Sequence, residues 1–407
     1  MTHPSQSAHN SIETAVSLHD QALAAQEVGD LAKAERLSQR SLRILEGAVP
    51  PHHPDLSNVR NAMASIALEQ GNHSEAERLY RLSVRDTGYC RKDEAATRIR
   101  GQSRAGLAGV YRVQGRHAEA ESLYHRALAI AEKELGPNDV EVAWLLNGIA
   151  VLHKYQGRFA EAARLYRRAL RLLEKRLGPG HTEIATIYHN LGGLEHARGR
   201  FARGEPMARR AVEIRESALG RNHPQTAADM AALAGILDGQ GKFAESEPLY
   251  RHALRVFRRV YGPDHYEIAV NLNNLAAVCE AQGDYGRAER LYQRALKIKE
   301  ALFGPEHADV ATTLHNLADL YFARGNSRKA AALSQRALAV FETTLGKNHP
   351  KHGYLSQEQR ADCLSGGRRV THESRGRVQR ILTQEGMNRW FHRTGERSLL
   401  PARPIIR

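Results

Sequence analysis

Cysteine is scarce in this chain. Its 407 residues include three cysteines, Cys90, Cys279 and Cys363, which lie far apart and form no C-x-x-C pair. An odd number of widely separated cysteines excludes a disulfide framework and a cysteine-rich zinc site. Aromatic residues make up only 6% of the chain, whereas hydrophobic residues make up 42%. A sizeable core is therefore possible, but it must consist mainly of small and aliphatic side chains.

Long apolar runs are absent as well. No stretch approaches the roughly 18 consecutive apolar residues of a membrane-spanning helix. The first residues contain no basic segment followed by an apolar one, which a signal peptide would need. We therefore expect a cytoplasmic protein without a membrane span.

The motifs of common active sites are incomplete. Gly239–Phe243 contains a Gly-Lys pair, but Phe243 stands where a phosphate-binding loop needs Ser or Thr. His372-Glu373 lacks the second histidine of H-E-x-x-H, and Gly101–Ala105 lacks the closing glycine of G-x-S-x-G. The sequence therefore predicts a protein that is not an enzyme and that needs no cofactor or metal.

Positive charge is concentrated near the end of the sequence. The whole chain has a formal charge of +14, and residues 351–407 contribute +7 of it, from 12 Lys and Arg against 5 Asp and Glu. We expect a capping helix and a basic, flexible tail here. Contact of this tail with nucleic acid or an anionic surface is one alternative. Docking of the tail into the protein's own groove is another.

Glycine recurs with a regular period. One series occupies positions 29, 71, 115, 157, 199, 241, 283 and 325, and a second runs every 42 residues from 136 to 346. In the first series one step is 44 residues and the others are 42. Such a period is the mark of a repeat protein. It predicts eight repeats over residues 11–350, after a flexible N-terminus at residues 1–10.

Each repeat contains two amphipathic segments. Residues 310–325 and 284–304 show apolar side chains at the i, i+3, i+4 and i+7 spacing of a helix. We name the helix before each first-series glycine helix A and the one after it helix B. We call that glycine the turn glycine and count positions in the repeat from it. A glycine at the end of a helix relieves the left-handed conformation that helix ends often require.

Three positions in every repeat carry only Ala, Gly or Ser. They lie at positions −7, +5 and +12, which gives 24 small residues over the eight repeats. Small side chains allow helix axes to approach closely. We therefore expect these positions to lie where helices A, B and the next A meet.

This pattern resembles the tetratricopeptide repeat, and more closely the 42-residue repeats of kinesin light chain-like proteins. The segment that carries the resemblance best is NLNNLAAVCEAQGDYGRAERLYQRALKIKEALFGPEHADVA, residues 271–311. The resemblance implies an all-α fold, a right-handed α-solenoid of about eight helix-turn-helix repeats. It also implies that the A helices line a concave groove for a protein or peptide ligand.

The resemblance further implies that an asparagine before Leu-Ala or Leu-Gly in helix A binds the backbone of a bound peptide. Asn190, Asn274 and Asn316, all at position −9, match this pattern. An amide side chain suits the role because it can both donate and accept hydrogen bonds. The other predicted groove residues, at positions −13, −10 and −6, are Asn147, His189, Asn273, His315, Thr186, Thr312 and Asp319. The alternative is that such asparagines are solvated or bridge to the next helix.

Two further patterns have structural interpretations. His181, His223, His265, His307 and His349 recur every 42 residues in loops. Neighbouring repeats lie roughly 8–10 Å apart, so these histidines cannot share one zinc ion with bonds of about 2.0–2.1 Å. We expect them to be helix-entry residues near the N-cap. Cys279, on the apolar side of a helix A, is expected to belong to the core.

The sequence thus favours a non-enzymatic adaptor that binds an extended segment of another protein. One alternative is a factor that associates with nucleic acid or an anionic surface through the basic tail. The other is a peptide-sensing regulatory subunit that acts with a separate effector protein.

Overall fold

The computed structural model describes residues 6–89 and 93–345, which form sixteen α-helices and no β-strand. The predicted all-α fold of repeated helical hairpins is confirmed. The helices are α1 Gln6–Glu27, α2 Leu31–Ala48, α3 Pro54–Glu69, α4 His73–Asp86, α5 Glu94–Val113, α6 His117–Glu134, α7 Val140–Tyr155, α8 Phe159–Leu177, α9 Thr182–Ala197, α10 Phe201–Leu219, α11 Pro224–Gly239, α12 Phe243–Tyr261, α13 Tyr266–Ala281, α14 Tyr285–Phe303, α15 Ala308–Ala323 and α16 Ser327–Leu345.

Odd-numbered helices are the A helices and even-numbered ones the B helices. The predicted capping helix and tail, residues 351–407, lie outside the described residues, as do Cys90 and Cys363. Among the helices that are described, none is long and apolar enough to cross a membrane.

The described residues belong to two compact units. The first extends to Asn190 and the second starts at Leu191, so the boundary lies within α9. In each unit a helix packs against its neighbours in sequence, and consecutive A helices also contact each other. These A-to-A contacts are α1 with α3, α3 with α5 and α5 with α7 in the first unit, and α11 with α13 and α13 with α15 in the second.

The turn glycines adopt the left-handed backbone conformation. The φ angles of Gly71 and Gly283, for example, are 81° and 82°. At Gly283 the amide donates to the carbonyl of Glu280, and the next amide, of Asp284, donates to that of Cys279. A side chain would be strained at such a φ value. The glycine period is thus set by the turn that joins helix A to helix B.

The recurring histidines cap the A helices. Nδ1 of His181, His223, His265 and His307 accepts a hydrogen bond, at 3.2–3.3 Å, from the backbone amide two residues later. An acceptor at this place satisfies one of the amides that a helix start leaves without an intrahelical partner. The interpretation of these four histidines as helix-entry residues is confirmed, and His349 lies outside the described residues.

The small residues lie where they were expected. All 24 positions at −7, +5 and +12 are buried. The tightest example is in repeat 5, where a Cβ atom on Gly204 would lie 3.1 Å from the carbonyl oxygen of Gly192. Cys279 is fully buried, so its assignment to the core is confirmed.

The contact between position +16 of one repeat and position −12 of the next varies in chemistry. Arg215 and Asp229 form a buried ion pair there, with Nε and Oδ2 2.8 Å apart. Two repeats further on, Lys299 Nζ donates to Thr313 Oγ1 at 2.9 Å. In the first unit the corresponding residues include Leu45 and Val59, which pack in one apolar cluster.

Candidate binding faces of the A helices

The A helices after α1 are buried on most sides, unlike the B helices. In α7 every residue from Glu141 to Lys154 is buried, and in α13 every residue from Tyr266 to Cys279. In α14, by contrast, the buried residues follow one face: Ala288, Tyr292, Ala295, Ile298 and Lys299. Polar residues on the A helices are therefore desolvated, and each needs a hydrogen-bond partner.

The predicted groove residues lie in these buried positions. Nine of them are at most 6% exposed, and Asp319 is partly exposed. The structure assigns Asn147, Thr186, His189 and Asn190 to the first unit, and Asn273, Asn274, Thr312, His315, Asn316 and Asp319 to the second. The structure thus groups these residues into one set in each unit.

Successive A helices are joined by pairs of asparagines. Asn190 Nδ2 donates to Asn147 Oδ1 at 2.9 Å in the first unit. Asn316 Nδ2 donates to Asn273 Oδ1 at 3.1 Å in the second. Both pairs join position −10 of one repeat to position −9 of the next, so they are the same contact made twice. Bridging to the next helix, the alternative role for these asparagines, does take place.

Each pair leaves one polar atom open. Within the part of the chain that the structure describes, Asn147 Nδ2 and Asn316 Oδ1 are buried and have no hydrogen-bond partner. Leaving such an atom unpaired costs about 1–3 kcal/mol. The first pair therefore contains a buried, unpaired donor, and the second a buried, unpaired acceptor.

Position −9 packs against a tyrosine of the preceding helix B. A Cβ atom on Gly106 would lie 2.2 Å from the ring of Tyr80, and one on Gly148 would lie 2.6 Å from that of Tyr124. The same contact brings Asn274 to Tyr250, with a side-chain hydrogen bond between them. Glycine at −9 therefore makes room for a tyrosine ring.

In one repeat the residue at position −9 and the residue at +9 of the preceding helix B change together. Where the preceding helix B has Ala208 at position +9 instead of tyrosine, position −9 carries Ala232, and both belong to one apolar cluster. Sequence reasoning missed the tyrosines, although they recur at the fixed position +9: Tyr80, Tyr124, Tyr166, Tyr250 and Tyr292. Their period was the signal that could have revealed the contact.

In the first unit, position −3 is cationic. Arg112 and Lys154 occupy it in repeats 3 and 4, and both are buried. Burial and, to a smaller extent, the charge of Arg112 together lower the pKa of Lys154 to about 7. The Arg112 guanidinium lies 4.8 Å from the centre of the Tyr155 ring, a cation–π contact.

In the second unit, position −3 is acidic. Asp238 and Glu280 occupy it in repeats 6 and 7. Burial raises the pKa of Asp238 to about 7. Glu280 Oε2 accepts a hydrogen bond from the Tyr292 hydroxyl at 3.1 Å. Equivalent positions of the repeat thus carry opposite charges in the two units.

Asp319 adds a third carboxylate in the second unit. Its Oδ2 lies 3.4 Å from His315 Nε2, one helical turn earlier on α15. Thr312, on the same helix, donates its hydroxyl to the carbonyl of Ala308 at 3.0 Å. Among the described residues, no group of three or more His, Cys, Asp or Glu side chains could hold a metal ion.

Eight hairpins with small residues at their contacts, and A helices that place amides and charges on one face, define a helical repeat protein. The tetratricopeptide repeat family matches residues 13–85, 100–175, 183–247, 228–301 and 267–343. The chain belongs to this family. A search of the curated proteins finds no match.

Solved structures of similar fold include repeat proteins of several kinds. One is a putative kinesin light chain from Podosopora anserina with nearly identical tetratricopeptide-like repeats: 22% identity, 49% of this chain and 94% of that chain covered, TM-score 0.42. Another is a Rap protein complexed with Competence and Sporulation Factor: 14% identity, 85% and 98% covered, TM-score 0.53. A third is a signal transduction ATPase with a tetratricopeptide repeat sensor from Pyrococcus horikoshii: 14% identity, 78% and 46% covered, TM-score 0.54.

Proposed function

We propose that this protein is a non-enzymatic scaffold that binds an extended segment of a partner protein against its A helices. Tetratricopeptide repeats generally mediate interactions between proteins, which fits this role. The observation that carries the proposal is the repeated asparagine contact, Asn147 with Asn190 and Asn273 with Asn316. It supplies an open donor in the first unit and an open acceptor in the second.

An extended peptide is the ligand whose chemistry fits these atoms. Its backbone presents amide donors and carbonyl acceptors on each side, so a segment bound to the first unit can satisfy Asn147 Nδ2, and a segment bound to the second unit can satisfy Asn316 Oδ1. Forming these bonds removes the cost of two buried, unpaired polar atoms, and that gain would belong to the complex. Asn274 is already bonded to Tyr250, so its contribution is expected to be smaller than that of Asn316.

The test is capture of partners from a lysate of the source cells by the full chain and by an Asn190/Asn274/Asn316 triple alanine variant. We expect the variant to lose partners that the wild-type chain retains, because Asn316 Oδ1 is gone and Asn147 has lost the hydrogen bond from Asn190 that orients its amide. The partners would be identified by mass spectrometry. Circular dichroism would establish that both proteins have the same helical content.

The matched control is the double variant Asn138→Ala and Asn222→Ala, in which two exposed loop asparagines are removed. It should retain every partner. Identical partner sets for the triple variant and the wild-type chain would overturn the proposal and would leave the asparagine pairs a purely structural role. The hypothesis of nucleic-acid binding concerns residues 351–407, outside the described residues, and stays a prediction.

A further inference from the structure

Three carboxylates of the second unit come together around one tyrosine. Asp238, Glu280 and Asp319 belong to three successive A helices, α11, α13 and α15. Burial raises the pKa of the Tyr292 hydroxyl well above its ordinary value of 10, and the negative charges of all three carboxylates raise it further. A charge changes the pKa of another group only when the two groups are close together or poorly screened by solvent. Acidic groups from three A helices therefore act on the same part of this unit, and Glu280 contacts the tyrosine directly.

The carboxylates on the B helices of this unit have a different environment. Three of them lie at position +6 and form ion pairs with arginine or lysine: Glu205 with Lys242, Glu247 with Arg287, and Glu289 with Arg324. On the A helices, the contacts of Glu280 include the Tyr292 phenol and those of Asp319 include the His315 imidazole.

A second, independent feature of this face is the open carbonyl oxygen of Asn316. It is buried and, in the described part of the chain, accepts no hydrogen bond. Asn316 is at position −9, which the repeat places against the tyrosine of the preceding helix B, here Tyr292. It also lies three residues before Asp319, on the same side of α15. Asn316 Oδ1 and the carboxylate oxygens of this face are all hydrogen-bond acceptors. Only a group that donates hydrogen bonds can therefore pair with Asn316 Oδ1.

We propose that this acidic face of the second unit binds a partner segment through an arginine or lysine side chain. This inference rests on the proposed function and specifies the chemistry of the bound segment. A guanidinium group has five N–H donors and no acceptor, so it can bond carboxylates and Asn316 Oδ1 at the same time. An ammonium group has three donors and a more compact charge, so lysine should bind more weakly than arginine.

The experiment uses the full chain and pools of fluorescein-labelled nonapeptides that differ only in a fixed central residue: arginine, lysine, citrulline or glutamate. Fluorescence anisotropy measures their binding. We expect the arginine pool to bind most tightly and the lysine pool next. Citrulline keeps the shape of arginine without its charge, and its pool should bind at least ten-fold more weakly. Added salt should weaken the arginine pool, because a charge contact is screened.

The variant that tests the site is Asp238→Asn, Glu280→Gln and Asp319→Asn together. These substitutions keep the shape of each side chain and remove three charges at pH 8, the pH of the assay, where Asp238, with a pKa of about 7, is ionised as well. The affinity of this variant for the arginine pool should be at least ten-fold lower than that of the wild-type chain. The control, Glu213→Gln, Asp264→Asn and Glu306→Gln, removes the same charge from exposed positions of the second unit and should bind like wild type.

Several results would overturn the inference. Equal affinity for the citrulline and arginine pools would exclude charge recognition, and full binding by the carboxylate variant would exclude this site. If the arginine pool binds only after Arg368, Arg369, Arg375, Arg377 and Arg380 are changed to glutamine, the occupant is the chain's own basic segment and not a partner. If the asparagine variant loses its partners while the carboxylate variant keeps its affinity for arginine, the proposed function holds and this inference fails.

Discussion

Arg215 and Asp229 form an ion pair inside the second unit, with both side chains at most 4% exposed and their charged atoms 2.8 Å apart. Arg215 also donates through Nη1 to Gln225 Oε1 at 2.9 Å. The pair joins α10 to α11. The corresponding positions one repeat earlier carry Leu173 and Ile187, both fully buried. The same contact between hairpins is therefore made by charge in one place and by apolar side chains in another.

The first prediction concerns this pair. Asp229→Ala should destabilise the second unit by about 3–5 kcal/mol, because it leaves the Arg215 charge buried and unpaired. The double variant Arg215→Leu and Asp229→Ile copies the preceding repeat and should be neutral or more stable. Urea unfolding and hydrogen exchange of α10 and α11 would measure both. A double variant as unstable as Asp229→Ala would show that packing, and not charge, sets the cost.

The second prediction compares two glycines of α5. Gly106→Ala should cost about 1–3 kcal/mol, since its Cβ would lie 2.2 Å from the buried Tyr80 ring. Gly109 has no atom within 4 Å of its Cβ position, so Gly109→Ala should stabilise the helix by up to about 1 kcal/mol. Thermal unfolding of the wild type and the two variants gives the order of their stabilities. With Tyr80→Ser the cost of Gly106→Ala should largely vanish, and an unchanged cost would contradict the tyrosine contact.

The third prediction is a pH dependence. Burial raises the pKa of Asp238 to about 7 from 3.8, so the folded chain binds this proton more tightly than the unfolded chain. Below about pH 4 the Asp238 carboxyl group therefore does not lower the free energy of unfolding. Its destabilising effect grows between pH 4 and 7 and is constant above pH 7. Asp238→Asn should remove that cost. Urea midpoints of the two proteins should coincide near pH 4 and separate, in favour of the variant, by pH 8; parallel curves would contradict the raised pKa.

The fourth prediction separates the structural and binding roles of an asparagine pair. Asn316→Leu leaves Asn273 Oδ1 without its donor and should cost about 1–3 kcal/mol. Asn273→Leu with Asn316→Leu replaces both partners by apolar groups and should be closer to neutral. Partner capture should be lost in both variants, whatever their stability. Recovery of capture in the double variant would assign the loss in the single variant to unfolding.

Much of the fold follows from the sequence because it depends on residues that repeat. Gly283 must turn left-handed after α13, and Ala276, Ala288 and Ala295 must be small for the helices to approach. Each of these requirements recurs every 42 residues and is visible in a single chain. The contacts of the fold are also mostly local in sequence, because each helix packs on its sequence neighbours.

The candidate site was harder to predict from the sequence, for a reason that Asn190 and Asn316 illustrate. Their place at position −9 could be read from the sequence, but their partners, Asn147 and Asn273, lie at position −10 of the repeat before. The 43-residue spacing of these pairs has meaning only once the offset between helices is known. Ala232 belongs to the same apolar cluster as Ala208, at position +9 of the preceding helix B, a dependence between repeats that no one repeat reveals.

The varied chemistry at positions +16 and −12 also constrains how such a gene can change. Repeats of one length invite unequal recombination, in which a 42-residue unit is lost in frame. Loss of residues 224–265 would place Asn271, and not Asp229, opposite Arg215. The buried Arg215 cation would then lose its counter-ion. The contact residues thus act as an ordering device: they make the sequence of repeats, and not only their number, a property on which selection for stability can act.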